Sequence, residues 1–168
     1  MESFAERFIK ILADQGSITN QDADSIIKDF KSRSQESLVY FLVDEGLVQK
    51  NQILKALSRY YNLPSFDATG YLFDNDLVGS FPREFLTSNG IIPLSMEQSI
   101  LTVVAAEPDQ AGLASRIMEY MDANVEFVVG IKRDIWDAIQ EFYYTSVTDT
   151  DFVEKEENAE DESIVDEI

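Results

Sequence analysis

The groups able to do chemistry in this sequence are almost all carboxylates: 32 Asp and Glu stand against 13 Lys and Arg, with no Cys and no His, for a net charge of −19 at pH 7. Without cysteine there is no disulfide, thiolate nucleophile or iron–sulfur ligation. Without histidine the commonest metal ligand and general base is gone, and a Ser-His-Asp triad cannot be built. Paired carboxylates can hydrolyse glycosides, but among 32 acids no pair stands out. The seven glycines (Gly16, Gly46, Gly70, Gly79, Gly90, Gly112, Gly130) lie too far apart for the glycine-rich cradles that hold nucleotide phosphates. Asp149 and Asp151 have the spacing of a calcium loop, yet Val153 takes the fifth position and the sixth has no glycine. No catalytic residue, metal site or cofactor is therefore expected. Two other features stand out: Trp136, which suits a helix edge in the core or a partner anchor, and Lys132-Arg133, the only adjacent basic pair, which suits a solvated helix start.

The charge points to partners by elimination. An acidic surface repels nucleic acid phosphate and anionic lipid and leaves proteins with basic faces. Met1 to Gly16 mixes Glu2, Glu6, Arg7, Lys10 and Asp14 among its apolar residues, unlike a secretory signal. The longest apolar run, Leu38 to Val43, is far below the ~20 residues of a membrane helix. A soluble, cytoplasmic protein without direct membrane insertion is predicted. With 168 residues and 45% apolar content the chain can build a real core. Asp149 to Ile168 holds ten acids and one base, Lys155, or −9 of the total charge. So little apolar surface cannot offset the entropy of ordering it, so residues 145–168 are predicted to be an acidic disordered linker or tail. Ile164, Val165 and Ile168 regain helical spacing, as at a domain boundary.

The elements follow from apolar spacing. Phe4, Phe8, Ile11 and Leu12 draw one stripe along a helix stopped by Gly16. Thr19 caps a second helix with Ile26, Ile27 and Phe30 facing inward, and Ser34 caps a third, with Leu38, Phe41 and Leu42, stopped by Gly46. A fourth runs from about Lys50 to Tyr61 and closes at Asn62 and Pro64. Gly16 laid on Gly46 exposes a repeat at an offset of 30: FIKILADQGSI and LVYFLVDEGLV share Leu12/Leu42, Asp14/Asp44 and Gly16/Gly46.

Beyond about residue 63 the pattern changes. Asp74-Asn75-Asp76 precedes a short helix, and Phe81-Pro82 opens another ending at Asn89-Gly90. Ile91 to Leu94 and Ile100 to Ala105 suit a hairpin with a five-residue loop, Pro93 implying an edge strand or the loss of a ladder bond. Pro108 is expected to start a helix with Leu113, Ile117, Met118 and Met121 on one side. Asn124 to Val129 is a third strand, and Gly130 turns into a last helix through Ile135, Ile139 and Phe142. The expected fold is α+β: a helical hairpin repeat over 1–63, then a β-β-α-β-α sandwich over 64–144.

These features together carry a resemblance. The repeated L-x-D-x-G hairpin, LSRYYNLPSFD, FPREFLTSNGIIPLSMEQSILTVVAAEPD and VEFVVGIKRDIWDAIQEFYY resemble the N-terminal domain of the ATPases that drive type II secretion and type IV pilus assembly, over about residues 4 to 144. The resemblance implies a non-catalytic docking and regulatory module for a downstream motor. The implied partner is the cytoplasmic domain of an inner-membrane platform protein, which would make the chain cytoplasmic and peripheral at the inner membrane. The contacts expected on the first helix are Phe4, Glu6, Arg7, Phe8 and Ile11.

Some members of that family bind cyclic di-GMP through tandem copies of R-L-G-x-x-L-x-x-x-G followed by leucines and a glutamine. The first copy here keeps Arg7, Leu12 and Gly16 but has Phe8, Ile9 and Phe30 for the leucine, early glycine and glutamine. The second keeps Leu38, Leu42 and Gly46 but has Ser37, Val39 and Tyr60 for the arginine, early glycine and glutamine. Losing the early glycines removes close backbone approach, and losing an arginine removes charge and a flat stacking face. A dinucleotide sensor using Arg7, Gly16 and Gly46 is the alternative, on a chain that offers a dianion little attraction.

Overall fold

The computed structural model describes residues 2–33 and 37–144. The chain opens with two helical hairpins, α1 (Phe4–Asp14) with α2 (Asn20–Lys31) and α3 (Leu38–Asp44) with α4 (Lys50–Tyr61). Both hairpins turn in the same way. Gly16 (φ +81°) and Gly46 (φ +66°) occupy the left-handed region that side chains resist. Around them the same bonds recur 30 residues apart: Ser17 N–H donates to Leu12 O and Gly16 N–H to Ala13 O, at 2.9 and 3.0 Å. Leu47 N–H likewise donates to Leu42 O and Gly46 N–H to Val43 O, at 3.0 and 3.1 Å.

Ser3, Thr19 and Ser37 cap α1, α2 and α3, each side-chain oxygen accepting an N–H of the first turn. The expected cap Ser34 lies outside the described residues, and the cap that α3 uses is Ser37. Phe8, Ile9, Leu12, Phe41, Leu42, Ile53, Ala56 and Leu57 close the helical core, joined by Val129 and Ile131 from the second half of the chain.

Asn62, at φ +55°, ends α4. Two short helices follow, α5 (Asn75–Gly79) and α6 (Arg83–Asn89), the first capped by Asp74 and the second stopped by Gly90 at φ +62°. Then come β1 (Ile91–Glu97), β2 (Ile100–Ala105), α7 (Leu113–Met118), β3 (Asn124–Val129) and α8 (132–144). The described strands form one sheet in the order β1-β2-β3, antiparallel then parallel. Leu101, Val103, Val104 and Ala105 of the central strand are buried with Leu86, Ile91, Ile92, Ile117, Ile135 and Ile139.

Three details correct the sequence expectation. The hairpin loop is two residues long, because a bulge at Leu94 resets the register and lets Ser95, Met96 and Glu97 pair with Thr102, Leu101 and Ile100. Gln98 and Ser99 turn it, both at positive φ. Pro93 does sit in an edge strand, beside that bulge. Secondly, Pro108 lies in a turn; α7 starts at Leu113 because Gly112, at φ +72°, cannot continue a helix. Thirdly, Met118 is exposed, lying ~100° around the helix from buried Ile117. The expected acidic tail falls outside the described residues.

Candidate functional site

The N-terminal helix and the seam between the helical and sheet halves hold the candidate site. Of the first-helix residues, Phe8 has no accessible surface. It stacks on Phe4 at 5.3 Å, and the periodic stripe that contains it faces this chain's own core. Phe8 therefore supports the helix from within and meets no partner directly. Phe4, Glu6 and Ile11 are half-buried at the rim and Arg7 is exposed. Arg7 lies over the Tyr60 ring at 4.9 Å, Phe4 meets the same ring edge-on at 4.8 Å, and Glu6 pairs with Lys31 at 3.6 Å. Being exposed, that ion pair contributes at most ~1 kcal/mol.

Beside this cluster a cleft of about 520 Å³ separates the two halves, lined by Phe4, Phe30, Val39, Tyr60 and Tyr61 on one side and by Glu107, Asp109, Gly130 and Lys132 on the other. Its floor is held by the main chain: Phe66 N–H donates to Val129 O, Val129 N–H to Pro64 O and Gly130 N–H to Ala105 O, at 2.8 to 3.0 Å. A Cβ at Gly130 would stand 2.7 Å from Val104 Cγ1 and 3.3 Å from both Phe66 O and Ile135 Cδ1, so only glycine packs there without displacement. The Lys50–Asp134 pair at 3.0 Å further ties α4 to α8.

The positions that a dinucleotide motif would use at its ends converge in this cleft: Phe30 and Tyr60, standing for the glutamines, with Ser37, Leu38 and Val39 from the second copy. Gly16 and Gly46 are not among the lining residues. They sit exposed at the hairpin turns, and Gly16 is twelve residues, ~18 Å at the rise of a helix, from Phe4. The structure thus brings four of the six substituted positions, Phe30, Ser37, Val39 and Tyr60, into the cleft beside the retained Leu38, while Phe8 and Ile9 lie in the helical core and the retained glycines stand apart.

Glu107, Asp109 and Lys132 bring charge to the cleft. Burial raises the Tyr61 phenol above its ordinary value, and the charges of Asp109 and Glu107 raise it further. Glu107 and Asp109 would also oppose a phosphate in the cleft, against the single cation Lys132 on its lining. Glu107 and Asp109 lie within the EPD stretch of the sequence, where an acid every second residue resembles any solvated turn. Asp67, on the loop after α4, is held below the ordinary carboxylate range chiefly by the Thr69 N–H. Among the described residues no group of His, Cys, Asp and Glu could hold a metal ion, and no helix is long and apolar enough to cross a membrane.

Residues 61–149 match the MshEN domain. Among solved structures, one titled as MshE with cdg is 18% identical, covering 81% of this chain and 98% of its own, with a TM-score of 0.62. The N-terminal domain of XpsE is also 18% identical, covering 83% and 96% of the two chains with a TM-score of 0.53. At that identity the likeness concerns the fold. No curated protein matches the chain. The match to more than half of the sequence places this chain in the MshEN family, the N-terminal domains of the ATPases of type II secretion and type IV pilus assembly.

Proposed function

We propose that this chain is a non-catalytic docking module of such an ATPase, binding the cytoplasmic domain of an inner-membrane platform protein through the outer face of α1. Residues 1–63 meet the partner and 64–144 support them. The observation that carries this reading is the replacement of dinucleotide-contacting residue types in the cleft by aromatic and aliphatic side chains facing Glu107 and Asp109. A domain of this family without a well-formed ligand site retains its other expected task, recognition of protein. Phe4, Glu6, Arg7 and Ile11 form the contact face, with Phe8 behind them.

A Glu6→Lys/Arg7→Glu double substitution in the full chain, which leaves the core-packed Ile11 in place, tests this against the purified platform domain. Loss of binding with an unchanged thermal melt is expected, and retained affinity would remove α1 from the interface.

The second reading is a cyclic di-GMP sensor, favoured by the likeness to MshE, whose structure is titled with that ligand. It requires heat on titration that Arg7→Ala abolishes.

A further inference from the structure

The loop between α4 and α5 holds an apolar ridge out in water. Gly70, at φ +69°, turns it, the Asp67 carboxylate accepts the Thr69 N–H at 3.0 Å, and Lys50 Nζ donates to Thr69 Oγ1 at 2.8 Å. The Tyr71 ring meets Phe66 and Phe73 edge-on, at 5.0 and 4.8 Å. These contacts fix the loop from within, yet Leu72 is 93% exposed and Tyr71 47%. Both residues line two hollows. The first, of about 420 Å³, is shared with Asp134, Asp137 and Glu141 of α8. The second, of about 670 Å³, is shared with Asp74, Asp76, Met96 and Glu97. Met96 is 39% exposed, so three accessible apolar side chains border one hollow. Six carboxylates line the two hollows, and no Lys or Arg does. Lys50 offsets Asp134 at 3.0 Å, and Glu141 also borders a groove with Arg83, whereas Asp76, Glu97 and Asp137 are exposed and make no ion pair among the described residues.

We propose that this ridge and its hollows are a docking surface for a basic segment of another protein, one in which Lys or Arg residues alternate with apolar ones. Charge selects the occupant. Lys and Arg stems can lie along Tyr71, Leu72 and Met96 while their heads reach the carboxylates on either side, and a guanidinium can stack on the open part of the Tyr71 ring. Among the described residues no group of acids could hold a metal ion, so the negative charge is spread over a surface and not focused on a cation. A second copy of the chain would bring the same acids and a net charge of −19 to the contact. The groove beside Trp136, which is 51% exposed, offers no such selection, because its lining mixes Lys132 and Arg133 with Asp134. Neither hollow includes a residue of α1, so docking here does not depend on what α1 meets.

A dye-labelled amphipathic peptide of Leu and Lys, titrated with the full chain and followed by fluorescence anisotropy, tests the surface. The salt is set at about 0.15 M, where charges beyond about 8 Å are largely screened. Saturable binding is expected, weakened about tenfold by Leu72→Ser, which removes the apolar contact. Asp76→Asn/Asp137→Asn should weaken it about fivefold. Asp24→Asn/Asp29→Asn takes the same charge from α2, which borders neither hollow, and should change the affinity by less than about twofold. The substituted side chains are exposed, so the thermal melts should coincide with that of the wild type. Equal affinity of wild type and Leu72→Ser would overturn the proposal, as would the absence of saturable binding. Equal weakening by the two Asp pairs would also overturn it, since the peptide would then be held by net charge alone. A dimer in sedimentation that Leu72→Ser dissociates would overturn it in favour of a second copy as the occupant.

Discussion

The two helical hairpins are copies in their interior and differ on the outside. Leu12 and Leu42 are equally inaccessible, and the glycine turns share their hydrogen bonds. Yet α1 turns Glu6, Arg7 and Lys10 outward, whereas α3 and its turn leave Val43 and Leu47 in water. The residues that a hairpin needs in order to close are the same in both copies. Those that decide what it meets have diverged. The first hairpin therefore presents a charged edge and the second an apolar one that faces α8.

The comparison can be broken first in the core. Phe8→Ala should cost about 3–5 kcal/mol and its counterpart Leu38→Ala about 2–5 kcal/mol, read by urea unfolding. A cost well below 1 kcal/mol for Leu38→Ala would mean that the second hairpin does not share the burden of the core. Next come the turns. A Cβ at Gly16 or Gly46 meets nothing within 4 Å, so each Gly→Ala substitution should cost only the strain of positive φ, about 1–2 kcal/mol. Equal losses of thermal stability are expected; unequal ones would show that the shared bonds are not equivalent.

The caps sharpen the contrast between the copies. Thr19 accepts the Asp22 N–H, whereas Gln49, its counterpart, makes no such bond. Thr19→Ala should destabilise by about 1 kcal/mol, and Gln49→Ser should stabilise by up to about the same amount, both measured as shifts in the unfolding midpoint. The smallest effect is expected at Asp67. Its carboxyl is held below the ordinary range in the folded state, so its contribution is present above the unfolded pKa and is lost as pH falls through the lowered folded one. Carbon-detected NMR titration should place that midpoint below that of an unstructured Asp, and Asp67→Asn should remove this part of the acid dependence.

The hairpins were legible because each depends on local signals: a 3.6-residue apolar period, a capping hydroxyl and a glycine at the stop. The β1-β2 loop was misjudged because the bulge at Leu94 is a property of pairing with β2, which no residue near Pro93 announces. The start of α7 was misjudged because proline suits a turn as well as a first helical turn, and the deciding feature is the positive φ of Gly112. Among the site residues, spacing gave the stripe through Phe8 but not its direction, since an amphipathic period is the same whether it faces its own core or a partner. The individual cleft residues lie in the motif copies and in the stretches that carry the resemblance, but their convergence was not legible. The cleft joins Tyr60 and Tyr61 to Glu107, Asp109 and Gly130, far apart in sequence, and aromatic residues that merely fill a position leave no motif. The signal that did exist was negative, namely the loss of glycine, arginine and glutamine at the motif positions.

The central claim is that this domain recognises a protein and not a dinucleotide. Calorimetric titration of one preparation of the full chain, first with cyclic di-GMP and then with the cytoplasmic domain of the platform protein, tests it most directly. Heat with the protein and none with the dinucleotide is the expected result. Saturable heat with cyclic di-GMP, abolished by Arg7→Ala, with no response to the platform domain would contradict it.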